Sequence, residues 1–299
     1  VKIGVTGANG FIGQHIVAAV RERGDDAVAI IRNRSPSQVG ETRFFDFSQS
    51  GAPDAVLAGL DGVIHAAAHI PKSYADPNEA RLCMQVNALG TLELLLACNR
   101  VGIARAVVLS GNVYRPGTIP LTEDGPIDPS TQAPYYLISK AAGDLYAQAV
   151  GRERKVGVTI LRPSAVYGPG LTRGMIPTFI AKLQAGQRVT IQNGGRYRAD
   201  MVYVADVAAA SVAALRSPSS GPFNVGSGTT SSALEIAHSV ARRLNAAPEL
   251  IEVLPMGDTK EVLGFSPLDI SLARTSLGYE PRDVETGLGN YLDWWRALS

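Results

Sequence analysis

The chain has 299 residues, 45% hydrophobic and 18% charged, with a formal net charge of +1. That balance suits a globular protein with a sizeable core, of one large α/β domain or a domain with a smaller lobe. It holds no long basic run to seek nucleic acid or a membrane surface, and no uncharged apolar run of the roughly 18 residues a membrane span needs. Cys83 and Cys98 fall in one predicted helix and read as reduced, buried thiols. The chain opens on a strand and not on a leader, so a cytoplasmic location is expected.

"VKIGVTGANGFIG" opens as a short apolar strand followed by a glycine-rich turn. "FIGQHIVAAVRERG" has helical apolar spacing and stops at Gly24. "DAVAIIR", "TRFFD" and "DGVIHAAA" read as the second, third and fourth strands. "NEARLCMQVNALGTLELLLACNRVG" is a long helix closed by Gly102, and "ARAVVLS" is the fifth strand. "APYYLISKAAGDLYAQAVGRE" is helical, and "KVGVTILRP" is the sixth strand. These strands are continuous apolar runs, as expected of a parallel sheet covered on both faces. Their alternation with helices predicts an α/β doubly wound sheet of the Rossmann type.

The regularity breaks after Pro163. "VYGPGLTRGM" and "NGGRYRAD" read as loops, and helices recur near 175–185, 204–216, 232–244, 269–277 and 286–298. Short strands such as "VTI" and "GPFNV" lie between them. The predicted division is a dinucleotide-binding domain over 1–165 and a smaller C-terminal α/β substrate lobe over 166–299, with some later segments returning to the first. Trp294 and Trp295 are expected to anchor the last helix.

Gly7, Gly10 and Gly13 stand between a strand and a helix at G-x-x-G-x-x-G spacing. Glycine takes the backbone angles of a tight turn and lets a diphosphate approach main-chain N–H groups, where the helix N-terminus adds partial positive charge. The alternative is a βα turn that binds nothing, which the strand before and the helix after disfavour. At the end of the second strand, a carboxylate would select the ribose 2′-hydroxyl of NAD. Here the residues are Arg32, Asn33, Arg34 and Ser35. Guanidinium matches phosphate geometry, so Arg32, with Arg34 as a second candidate, favours NADP over NAD. Otherwise these are solvated loop charges. Asp46, ending the third strand, is placed to accept from the adenine amino group.

"PYYLISK" raises a choice between two tyrosines. On a helix, residues four apart share a face, whereas those five apart diverge by about 140°. Tyr136 therefore shares a face with Lys140, and Tyr135 does not. Such pairs are common on helix surfaces, but this helix follows the fifth strand, whose C-terminal end carries Ser110. Cofactor crevices of open α/β sheets lie at that edge. Hydride transfer at a carbon bearing oxygen needs a proton partner on that oxygen. A Tyr of pKa about 10 is a poor base, but a Lys ammonium and a cationic nicotinamide favour its phenolate. Ser110 would hold the substrate oxygen.

"TGANGFIG", "HAAA", "VNALGT", "VVLSGNVY", "YLISK", "LRPSAVYGPG", "MVYVADVA", "FNVGSG" and "LARTSLGYEP" occur in the order seen in extended short-chain dehydrogenases/reductases. The set spans nearly the whole chain and resembles the NAD-dependent epimerase/dehydratase family. The resemblance implies a Rossmann domain, a smaller substrate domain, and a catalytic set of Ser110, Tyr136 and Lys140. It implies cofactor contacts from Gly7, Asn9, Gly10, Phe11, Ile12, Gly13, Arg32, Asp46, Phe47, Ala66, Ala67, Asn87, Tyr136, Lys140, Arg162 and Pro163. Asn87 has an equal alternative role in tying helix to strand. A homodimer through the helices at 78–101 and 133–153 is also implied.

The chain departs from the family in ways that bear on substrate. The Asp-Glu pair of sugar-nucleotide 4,6-dehydratases is Gly111 and Asn112 here, which removes that elimination chemistry. Three positions that commonly grip a nucleotide diphosphate are Ala165, Ala199 and Pro255. Arg173, Arg196, Arg198 and Lys260 lie near in sequence, either as substitutes or as solvated charges. Asn112, Arg173 and Arg198 are the substrate candidates. His65 and His69 read as buried, hydrogen-bonded histidines. No cluster has metal-ligand spacing, and Ser110 lacks a G-x-S-x-G elbow. The leading expectation is NAD(P)-dependent hydride transfer on a sugar, nucleotide-linked, by an epimerase or a keto-sugar reductase. The alternatives are an NADPH-dependent reductase of a small non-nucleotide ketone or aldehyde, and a non-catalytic NADP-sensing binding protein.

Overall fold

A computed structural model describes residues 1–33, 40–116, 119–129, 133–255 and 264–298. The chain begins β1 (Lys2–Thr6), α1 (Phe11–Glu22), β2 (Asp26–Ile31), β3 (Thr42–Phe44), α2 (Asp54–Leu57) and β4 (Gly62–His65). It continues with α3 (Pro77–Cys83), a π-helical turn (Met84–Leu89), α4 (Gly90–Val101), β5 (Arg105–Leu109), α5 (Pro134–Glu153) and β6 (Gly157–Pro163). Then come β7 (Ala165–Tyr167), α6 (Met175–Gln184), β8 (Val189–Ile191), β9 (Arg198–Tyr203), α7 (Val204–Arg216) and β10 (Gly221–Val225). The last elements are β11 (Thr230–Ser232), α8 (Ala233–Leu244), β12 (Ile251–Val253), α9 (Ser271–Leu277) and α10 (Val284–Arg296).

The large sheet has seven strands in the order β10-β6-β5-β4-β1-β2-β3. Every pairing in it is parallel. Successive side chains of a strand point to opposite faces, so each apolar strand feeds two cores. Val5, Ala29, Val107 and Leu161 pack beneath α1 and α7, whereas Val28, Val63, Val108 and Ile160 pack beneath α4 and α5. Fully burying an aliphatic side chain such as Leu94 or Leu95 contributes about 1.5–3 kcal/mol. The helical stretch Pro77–Val101 is long and apolar enough to cross a membrane by length and composition alone, yet it is a core helix of this sheet. Both cysteines it carries are free and buried.

β10 and α7 lie after residue 165 and return to the large sheet, β10 as its edge strand beside β6. A smaller lobe holds the sheet β11-β9-β7 and the pair β12-β8, around a core that includes Phe179, Ile236, Tyr167 and Tyr291. Two segments expected to be loops contribute strands. Ala165–Tyr167 pairs in parallel with Met201–Tyr203, and β11 pairs antiparallel with the start of β9. Those pairings join residues distant in the chain, so no local pattern announces them. Trp294 and Trp295 flank Tyr291 in an aromatic cluster that seats α10 on the lobe.

Candidate active site

The strand order reverses about β1, and the crevice opens at the carboxyl ends of β1 and β4, where such folds bind ligands. Gly7 takes the left-handed φ of +65° that lets β1 turn into α1. A Cβ on Gly13 would stand 2.0 Å from the Gly7 carbonyl oxygen, so α1 can sit this close only with glycine there. Gly10 caps α1 without a side-chain hydrogen bond, which leaves N–H donors of the first turn for a ligand.

Two adjoining cavities meet at this turn, sharing Gly10, Ala66 and Ala68. The first, 250 Å³, is bordered by Gly7, Asn9, Arg32, Asn33, Asp46, Phe47, Ser48 and Ala67. The second, 440 Å³, is bordered by Phe11, Ile12, Gly13, Ser110, Asn112, Tyr136, Lys140 and Pro163. A bare glycine turn, an uncapped helix start and two linked cavities fit an extended dinucleotide. Most of the residues expected to contact the cofactor stand on these walls. Arg34 and Lys260 lie outside the described residues.

Ser110 follows β5 and is tied to β6 by its N–H, which donates to the Leu161 carbonyl at 2.8 Å. Its hydroxyl is buried and has no partner among the described residues. Tyr136 and Lys140 lie one turn apart on α5 and border the same cavity as Ser110. Burial pushes the Tyr136 phenol up to about 12, with Cys83 and Tyr74 adding in the same direction. Burial draws the Lys140 ammonium down to about 8, against the opposing charge of Asp144. Lys140 Nζ donates to the Leu109 carbonyl at 2.5 Å. Tyr135 turns away, its ring centroid 5.5 Å from that of Tyr74.

Two expected cofactor contacts are placed elsewhere. Arg162 is 1% exposed and lines neither cavity. It grips Asp144 with two bonds of 2.8 and 2.9 Å and donates to Tyr114 Oη and the Glu123 carbonyl. Its side chain points back under α5, away from the crevice mouth. Asn87 accepts from the His69 N–H at 2.7 Å and donates to the His69 carbonyl and Ser139 Oγ, both at 2.9 Å. Its amide is thereby consumed in tying the π turn to the loop after β4 and to α5. The pitch of that turn carries Asn87 off the crevice wall. Among the substrate candidates, Asn112 borders the second cavity, with its Nδ2 buried and unpartnered among the described residues. Arg173 is exposed and borders neither cavity. Arg198 is turned onto Thr230 and Glu235.

His65 meets Thr6 Oγ1 at 2.7 Å through Nδ1, and His69 pairs with Glu79 at 2.6 Å. Burial holds His65 neutral, with its pKa drawn down to about 3 and the Lys140 charge adding to the effect. No group of metal-ligating side chains occurs among the described residues. Sequence reasoning missed Ile70, Leu137, Val166, Leu171 and Phe265 as crevice walls. Phe265 is brought in by its N–H donating to the Arg198 carbonyl at 2.9 Å, a long-range pairing with no local signal.

Comparison with known proteins agrees with this geometry. Residues 3–226 match the NAD dependent epimerase/dehydratase family. The chain is 30% identical to the UDP-glucose 4-epimerase of Mycolicibacterium smegmatis, over 99% of this chain and 98% of that protein. It is 29% identical to the dTDP-4-dehydro-6-deoxy-D-allose reductase of Streptomyces bikiniensis, over 98% and 95% of the two chains. Among solved structures, MoeE5 in complex with UDP-glucose and NAD superposes with a TM-score of 0.86 at 28% identity, covering 100% of both chains. With the glycine turn, the crevice and this full-length similarity in agreement, the chain belongs to the NAD-dependent epimerase/dehydratase family of extended short-chain dehydrogenases/reductases.

Proposed function

We propose that this enzyme moves a hydride to or from a carbon bearing oxygen, with Ser110, Tyr136 and Lys140 as its catalytic set. The observation that carries this reading is the meeting of the three side chains on one cavity continuous with the glycine turn. The nicotinamide of a bound NAD(P) would supply or accept the hydride. Ser110 Oγ holds the substrate oxygen, and Tyr136 exchanges the proton with it. The buried phenol is protonated at neutral pH, which suits it to donate in the reducing direction. In the oxidising direction, the Lys140 ammonium favours the phenolate.

The relatives' named substrates support a sugar, nucleotide-linked, handled by an epimerase or a keto-sugar reductase. Arg32 and Asn33 on the wall of the first cavity support NADP as the cofactor, although the relative MoeE5 was solved with NAD. Titration with NADH and NADPH tests this: NADPH binds at least about tenfold tighter, and Arg32→Gln removes the difference. Incubating the protein with UDP- and dTDP-linked sugars while following nicotinamide absorbance tests the reaction. A nucleotide that stays bound without exchange identifies the epimerase, and net consumption of NADPH identifies the reductase. Exposed Met84, Leu89, Ile138, Leu145 and Tyr146 on the two helical stretches support a homodimer, which light scattering checks.

A second reading has its own support. The walls of the catalytic cavity are largely apolar, including Val166, Leu171 and Phe265. They favour a reductase of a small carbonyl compound without a nucleotide handle.

A further inference from the structure

We infer that the catalytic crevice takes an uncharged carbonyl compound with an apolar body and a second oxygen beside the reacting carbon, and that Asn112 binds that second oxygen. This rests on the hydride-transfer reading above and gives its substrate a chemical class.

Asn112 is 7% exposed, and Ser110, two residues earlier, is 5% exposed. Both border the catalytic cavity. Neither Asn112 Nδ2 nor Ser110 Oγ has a hydrogen-bond partner among the described residues. Leaving a buried amide donor unsatisfied costs about 1–3 kcal/mol, and a ligand oxygen would relieve that cost. The spacing supports two neighbouring oxygens, one met by Ser110 and Tyr136 and the next by Asn112.

The rest of the wall is apolar: Ile70, Leu137, Val166, Leu171 and Phe265. Among the described residues that line it, Lys140 is the one cationic side chain, and it is committed to the Leu109 carbonyl. Arg162 is consumed by Asp144, and Arg198 is turned onto Thr230 and Glu235. Placing a diphosphate against such a wall would strip its charges of water without charge-assisted donors, at a cost of several kcal/mol. A neutral body gains by the same desolvation.

The step balances as a reduction. A hydride from the reduced dinucleotide adds to the carbonyl carbon, and the C=O π pair moves onto oxygen. That oxygen takes the Tyr136 proton, which solvent replaces. The products are an alcohol and the oxidised dinucleotide.

The test uses the full chain with NADPH and three probes: acetylbenzoyl (a phenyl methyl diketone), propiophenone (the same skeleton without the second oxygen) and UDP- or dTDP-linked keto sugars. The wild type reduces acetylbenzoyl with kcat/KM at least about tenfold above any nucleotide sugar. Asn112→Ala raises KM for acetylbenzoyl about tenfold with little change in kcat, as loss of one ligand hydrogen bond predicts, and leaves propiophenone unaffected. Asn112→Ser, which keeps a donor, recovers part of the loss. Calorimetry of acetylbenzoyl binding to Tyr136→Phe enzyme reports the same Asn112 dependence without turnover. Equal effects of Asn112→Ala on both ketones, or absence of diketone binding, overturn the proposal. Preferred turnover of a nucleotide sugar overturns it while leaving hydride transfer intact. Full turnover by Tyr136→Phe overturns the hydride-transfer reading itself.

Discussion

Lys140 donates to the main-chain carbonyl of Leu109 at 2.5 Å, and Leu109 immediately precedes Ser110. The bond fastens α5 to the end of β5. It fixes the distance between the element that carries Tyr136 and the element that carries Ser110. A polar contact between two buried elements thus sets the spacing of the proposed catalytic groups.

The two tyrosines of "PYYLISK" separate cleanly by substitution. Tyr136→Phe is expected to lower kcat by at least about 100-fold, the scale of a lost general acid-base, with cofactor affinity retained. Tyr135→Phe is expected to stay within about twofold, because its ring packs on Tyr74 outside the catalytic cavity. Steady-state kinetics with any accepted substrate decides between them.

Lys140 is expected to make stability rise in alkali. Burial places its folded pKa at about 8, below the ordinary 10.5. Below both values each state holds the proton, and the cost of the buried charge is fully present. Between them the unfolded chain holds more protons, so stability increases with pH, by at most roughly 1.4 kcal/mol for each pH step of one across that window. Lys140→Met removes the rise, which denaturant melts at about pH 7 and about pH 10 would reveal.

His65 has the opposite consequence in acid. Its folded pKa is drawn to about 3 from 6.5, so the unfolded chain takes up a proton first as pH falls through that window. Stability is therefore lost progressively on acidification. His65→Gln is expected to flatten that part of the pH–stability curve. An unchanged slope between about pH 6 and about pH 4 would show that another group drives acid unfolding.

The glycines of the turn differ in what they tolerate. Gly13→Ala sets a Cβ 2.0 Å from the Gly7 carbonyl oxygen, which is backbone and cannot swing aside. A loss of at least about 3 kcal/mol, or failure to fold, is expected. A Cβ on Gly10 meets only the Gly7 oxygen, at 3.1 Å. Gly10→Ala is expected to fold and to lose cofactor affinity, a contrast read by melting temperature and dinucleotide titration.

Arg162→Met should cost about 3–5 kcal/mol, since it strands the buried Asp144 carboxylate. Cofactor affinity of the folded fraction is expected to be unchanged, because Arg162 borders neither cavity. A matching fall in dinucleotide affinity would return Arg162 to the crevice.

The strands β1 to β6 were legible because a strand buried on both faces must be continuously apolar, and a helix on a sheet must repeat its apolar residues every third or fourth position. The glycine turn was legible because backbone crowding admits one residue type. Arg162 and Asn87 were misplaced because motif membership does not say which way a side chain points. Arg162 had a buried partner, Asp144, eighteen residues earlier on a neighbouring helix.

By itself the sequence determined the sheet domain, the glycine turn, and the choice of Tyr136 over Tyr135. All three follow from local periodicity and helix geometry. The tertiary structure alone decided the walls around that tyrosine. Val166, Leu171 and Phe265 reach the cavity through pairings between β7, β9 and the 264–268 segment, far apart in the chain. Burial, too, is a collective property: Lys140, His65 and Asn112 owe their protonation or unpaired state to neighbours that only folding assembles.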